Sequence, residues 1–238
     1  MIGSEPPVVT IDIETTSPTL DSGERPNFQN PRDFEIFTIN VGAIESDGSQ
    51  STAVFLREDS SPESELAVIE SAVEWCHEKD PDVVYSYNGE SFDFIHLAGR
   101  PALAAQEAHV EDTVSPLVTQ FLQGTQSIDL KKPIWTKFGA ALSFEDAVSR
   151  ATGQPVARTV WQEFDHGIPL AKERAEAGLN PSPPDLQPSD IPILGEYYLT
   201  YCDAGKTATT AFTELERMLT RYGNNDVAAQ FELAHAVA

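Results

Sequence analysis

The run Val8-Val9-Thr10-Ile11-Asp12-Ile13-Glu14-Thr15 constrains this chain more than any other stretch. Six of its eight residues are β-branched, which favours a strand. In a strand, side chains two positions apart share a face. Val8, Thr10, Asp12 and Glu14 therefore line one side, and Val9, Ile11, Ile13 and Thr15 the other. Asp12 and Glu14 repel each other on their shared face. A chain tolerates that where water or a cation screens the pair. Two aspartates further along, Asp93 and Asp203, bring the set to four acids, and the strand-one pair reads as half of a carboxylate cage for divalent metal.

At 238 residues with 40% hydrophobic content, the chain is long enough for one large domain with a proper core. We expect a single domain over 1–238, with a proline-rich strap or insertion at about 154–190. The 38 acids face 15 bases, for a net charge of −23. No long acidic block is present, so an acidic tail is not indicated. Acids spread over the surface, with few lysines, read as adaptation to high salt, where the Debye length falls to about 3 Å. Such a charge argues against nucleic acid in dilute solution, because phosphate binding wants a basic surface. In concentrated salt the counterion term is weak, and binding then rests on stacking, hydrogen bonds and metal bridges. Cys76 and Cys202 have no finger-type spacing and read as free thiols. No apolar run approaches about 18 residues and no signal-peptide pattern stands out, so a soluble, cytoplasmic chain with no membrane partner is expected.

The pattern predicts strands over 8–16, 35–44, 52–57, 82–87 and 127–130. The second and third form a hairpin around Ser46-Asp47-Gly48. Residues 17–34 read as a loop. Helices are predicted over 63–79, over 92–106 with a kink or break at Pro101, and over 144–152, closed by Gly153. A short helix over about 170–177 interrupts the strap, and a last helix runs from about Ile191 to Tyr222, ended by Gly223. This order fits a mixed α/β sheet with helices on its faces.

Asp93 follows Asn88-Gly89 at the C-terminal end of a predicted strand, where α/β folds place their sites. Asp203 lies on the last predicted helix among apolar and aromatic neighbours, where a carboxylate needs a partner or a metal. Taken together, Asp12-Ile13-Glu14-Thr15, the stretch Tyr87-Asn88-Gly89-Glu90-Ser91-Phe92-Asp93, and Ser127-Ile128-Asp129-Leu130 resemble the DEDD superfamily of 3′–5′ exonucleases. The likeness is greatest to the proofreading exonuclease domain of family B DNA polymerases and its stand-alone relatives. It covers about residues 8–215 and leaves no room for a polymerase palm or fingers.

The resemblance implies an RNase H-like fold with a mixed five-stranded sheet. It implies two Mg²⁺ or Mn²⁺ ions held by Asp12, Glu14, Asp93 and Asp203. It implies hydrolysis at the 3′ end of single-stranded DNA or RNA, DNA in preference, with Thr15, Asn88 and Phe92 touching the terminal nucleotide. The third motif departs from the family. One branch places Tyr four residues before the last Asp, where this chain has Leu199. The other places His five residues before it, where this chain has Tyr198. Tyr198 is the expected water-orienting group, with Tyr197, Tyr201 and the loop histidine His166 as alternatives. The departure at Leu199 motivates a second reading, a nucleic-acid-binding module without turnover. An RNA 3′-end trimming enzyme is a third.

The segment Lys131-Lys132-Pro133-Ile134-Trp135-Thr136-Lys137 is the most basic in the chain. It reads either as a surface loop or as a place that holds phosphates and stacks a base.

Overall fold

The computed structural model describes residues 7–17, 25–45 and 47–237. Residues 18–24 of the expected first loop and Ser46 of the hairpin turn lie outside these. Five strands form one mixed sheet: β1 (Val8–Thr16), β2 (Glu35–Ile44), β3 (Gln50–Leu56), β4 (Val83–Ser86) and β5 (Gln126–Asp129). Their spatial order is β3-β2-β1-β4-β5. β2 is antiparallel to β1 and to β3, while β4 is parallel to β1 and to β5. This is the α/β arrangement of an RNase H-like fold. The strand order reverses at β1, so the crevice beyond β1 and β4 is a topological switch point, where such sheets place their sites.

The helices are α1 (Pro62–Glu78), α2 (Asp93–Ala108), α3 (Val114–Gly124), α4 (Lys131–Phe138), α5 (Phe144–Thr152), α6 (Leu170–Glu176), α7 (Ile191–Asp203) and α8 (Thr210–Val237). None among the described residues is long and apolar enough to cross a membrane. Val9, Ile11 and Ile13 pack with Ile69, Val73, Leu97, Val118 and Phe121, so α1, α2 and α3 cover one face of the sheet. The opposite face carries α7 and α8. Glycine lets α8 come close: a Cβ on Gly42 would meet Val227 Cγ1 at 2.4 Å, and one on Gly223 would meet Asn40 Oδ1 at 2.0 Å.

The register of β1 against β2 shifts between Glu14 and Thr15, which leaves Phe37 as the extra residue of a bulge. Bulges twist a strand and re-aim its side chains, often next to a site. Here the bulge turns Phe37 into a second core with Leu194, Phe212 and Leu215.

Four expectations are corrected. Helix α2 runs through Pro101 without a break. Helices α3 and α4 were not expected at all. Each carries a proline in its first turn, Pro116 or Pro133, where a missing N–H removes no helical hydrogen bond. The long final helix is in fact two. Gly205 takes a left-handed φ of 64°, Lys206 N–H donates to Tyr201 O, and Gly205 N–H donates to Cys202 O. That pattern is a Schellman stop. Gly223, expected to end the helix, lies inside α8.

The strap folds onto the second core through Phe164, Ile168, Leu170 and Leu186. Buried Arg174 organises it, with Nε and Nη2 on the Asp190 carboxylate at 2.7 and 2.5 Å and further bonds to the carbonyls of Pro183 and Asp185. A buried Arg–carboxylate pair of this kind adds little net stability, because desolvating two charges offsets their attraction.

Candidate functional site

Asp12 and Glu14 project from β1 toward α8, on the same side as Thr10, whose hydroxyl donates to Gln230 Oε1. One helical turn before Gln230 stands Asp226. Carboxylate oxygens of Asp12, Glu14 and Asp226 lie within 4.8 Å of one another, and all three residues are half-buried. Asp93 joins them from the start of α2: its Oδ1 accepts from the Ile13 N–H at 3.1 Å. Asp93 therefore braces β1, and the helix start has no side-chain cap bond. The Asn88-Gly89 pair makes this placement possible. Asn88 adopts a left-handed φ of 69°, and a Cβ on Gly89 would meet Ser86 Oγ at 2.3 Å.

Among the described residues, none of the salt bridges includes any of these four acids. Burial pushes the Asp12 carboxyl up to about 6, opposed by the hydrogen bond from Asn40 Nδ2. Burial, then repulsion from Asp12, pushes Asp93 up to about 8. Glu14 is raised by burial and by Asp12, Asp226 and Asp93. Asp226 is raised by burial and by Asp12. Two carboxylates at such separations repel by roughly 3–4 kcal/mol at an effective dielectric of about 20. A divalent cation relieves this, and an all-oxygen set is the kind that hard cations take. Asp12, Glu14 and Asp226 can thus hold a divalent metal.

The acids form the base of a cleft of about 390 Å³. Its walls include Phe28, Tyr87, Asn88, Phe92, Phe144 and Tyr222. Asp129 fixes the Asn88 corner, accepting from the backbone N–H groups of Asn88 and Lys131. Tyr87 donates to Leu142 O at 2.8 Å and packs on Phe144. Phe28, at 64% exposure, stands over Phe92 with ring centroids 6.0 Å apart.

Of the expected residues, Asp12, Glu14, Asp93, Asn88 and Phe92 meet at this cleft. Thr15 does not line it, being buried in β1 past the bulge. Asp203 requires correction. It is exposed at the end of α7, and its Oδ1 accepts from the Ser60 N–H at 3.0 Å. Tyr198 requires correction too. It is buried in the second core, stacked on Phe212 with centroids 5.0 Å apart. Tyr197 donates to Glu173 Oε1. His166 is buried in the strap, where Nδ1 accepts from Ile168 N–H.

Sequence reasoning missed Asp226 and Tyr222. Tyr222 lies four residues before Asp226, lines the cleft, and has its phenol raised by burial and by Glu14, Asp226 and Asp12. The stretch Tyr222-Gly223-Asn224-Asn225-Asp226 carries the tyrosine-branch spacing in plain view. Reading Gly223 as a helix stop hid it.

Fold and site together define an RNase H-like α/β protein with an acidic cluster at the switch point. Residues 3–107 match the family model described as the exonuclease domain of DNA polymerase family B. That span holds Asp12, Glu14 and Asp93, and Asp226 lies beyond it. Among solved structures, the family B DNA polymerase from the hyperthermophilic archaeon Pyrobaculum calidifontis is similar, at 20% identity and a TM-score of 0.52. The alignment covers 97% of this chain and 24% of that one, so the chain spans about a quarter of that polymerase. At this identity the likeness speaks to the fold. No curated protein matches the chain.

Proposed function

We propose that this protein is a metal-dependent 3′–5′ exonuclease acting on single-stranded nucleic acid, DNA in preference to RNA. The observation that carries the reading is the meeting of Asp12, Glu14 and Asp226 within 4.8 Å at the base of an aromatic-walled cleft. With Asp93 they would hold two Mg²⁺ or Mn²⁺ ions. Such ions, when bound, supply Lewis-acid activation of the phosphoryl oxygen and of the attacking water.

The chain's own groups do the rest. Tyr222 orients the water. Its phenol is raised by burial, so it stays a neutral hydroxyl that positions and does not deprotonate. Asn88 and Phe92 receive the terminal nucleotide, and Phe28 offers a ring for its base. Support for the DNA preference comes from the matched exonuclease-domain family. A module without turnover was motivated by Leu199 standing where a tyrosine was needed. Tyr222 before Asp226 removes that motive.

The test is release of mononucleotides from labelled single-stranded DNA and RNA, with Mn²⁺, in molar KCl. Asp226→Asn is expected to cost about three orders of magnitude in rate, the several kcal/mol that a bound ion supplies. Asp203→Asn is expected to act like wild type. Full activity in Asp226→Asn, or equal damage from Asp203→Asn, would sink the assignment.

A further inference from the structure

Resting on the nucleic-acid reading above, we infer that α4 is a second contact surface for the substrate: Trp135 stacks a base upstream of the 3′ end, and Lys131 and Lys132 meet the adjoining phosphates. Three observations carry this. First, Lys131, Lys132 and Lys137 all lie in α4, while the chain's other lysines, Lys79, Lys172 and Lys206, are scattered. In a chain of net charge −23, this one short helix concentrates the ammonium groups. Second, Trp135 is 57% exposed, although the same helix buries Ile134 and packs Phe138 against a core. A large aromatic left in water among cations is the pairing that single-strand binding uses.

Third, α4 is tied to the rim of the cleft. Lys131 Nζ donates to Asn88 Oδ1 at 2.8 Å, and Lys132 Nζ pairs with Glu90 in the turn that follows β4. Trp135 is one helical turn past Lys131 on the same face, about 6 Å further along the axis. The Lys132–Glu90 pair is solvent-exposed and therefore weak, so a phosphate can displace Glu90. Stacking also suits so acidic a chain: salt that screens the phosphates from its carboxylates leaves the stack in place.

Anisotropy titrations of the full chain with labelled deoxythymidine trimer and dodecamer test this, in EDTA so that no cleavage intervenes. Trp135→Ala is expected to weaken dodecamer binding about tenfold, to leave trimer binding unchanged, and to be rescued by Trp135→Phe. Lys132→Gln is expected to flatten the salt dependence. Equal dodecamer affinity for Trp135→Ala and wild type, or an equal loss on the trimer, overturns the inference. Trp135-dependent binding by a wild type that releases no nucleotide with Mn²⁺ keeps the inference and fells the exonuclease reading. Cleavage by wild type with no Trp135 dependence does the reverse.

Discussion

Asp12 is the common source of tension in the cleft, for its charge raises Glu14, Asp93 and Asp226 alike. Asn40 is the neutral donor that steadies it. Raised carboxyls make the folded state bind more protons than the unfolded one. Their contribution to stability is therefore present at low pH and is lost as pH rises from 3.8 through about 6 for Asp12 and about 8 for Asp93. A divalent ion favours the ionised form and reverses that loss. Melting of metal-free protein is thus expected to come earlier at about pH 8 than at about pH 5, with Mn²⁺ raising Tm more at the higher pH. In Asp12→Asn, Asp93→Asn protein both effects should shrink. An equal Mn²⁺ shift at both pH values would refute the account.

At the scale of elements, the site is a contract between β1, β2 and α8. Gly42 and Gly223 let α8 settle on the sheet, and that brings Asp226 within reach of Asp12 and Glu14. Gly223→Ala sets two effects against each other. Helix propensity gains about 1 kcal/mol, while overpacking costs about 1–3 kcal/mol. The new methyl has to push the Asn40 amide off Asp12, because the Cβ would sit 2.0 Å from Asn40 Oδ1. Thermal and denaturant unfolding are expected to show a net loss of up to about 2 kcal/mol, while the proposed nuclease activity drops about tenfold or more, one to two kcal/mol of lost positioning. Wild-type activity in this variant would mean that Asn40 does not hold Asp12 for the reaction. The same elements mark where sequence was legible. β1, β2 and α5 were read almost to the residue, because apolar runs, the turn residues after β2 and Gly153 as a stop are local signals. The break between α7 and α8 was missed although Gly205 signalled it, because Gly223 offered a second, equally local stop.

For the molecule as a whole, the net charge of −23 sets the conditions under which any of this operates. We propose that the surface is adapted to high salt. Self-repulsion between exposed carboxylates is screened once the Debye length falls to about 3 Å near 1 M salt. Raising KCl from dilute to molar is then expected to stabilise the fold, with about 2 kcal/mol appearing as about 4–8 °C in Tm. A flat or falling Tm over that range would count against it. Charge, composition and the strand-one pattern were read from the sequence alone, and so were Asp12, Glu14, Asn88, Phe92 and Asp93. Those five were named from motifs that resemble a known family, and each sits inside a short contiguous segment. Which acid completes the cluster was decided only by tertiary structure. Asp203 and Asp226 are both helical aspartates near an aromatic; the tyrosine four residues before Asp226 sets it apart in sequence, but spacing alone brings neither acid to Asp12 and Glu14. The close approach of α8 to β1 and β2, over two glycines distant in sequence, turns Asp226 inward and leaves Asp203 to a backbone N–H at the surface.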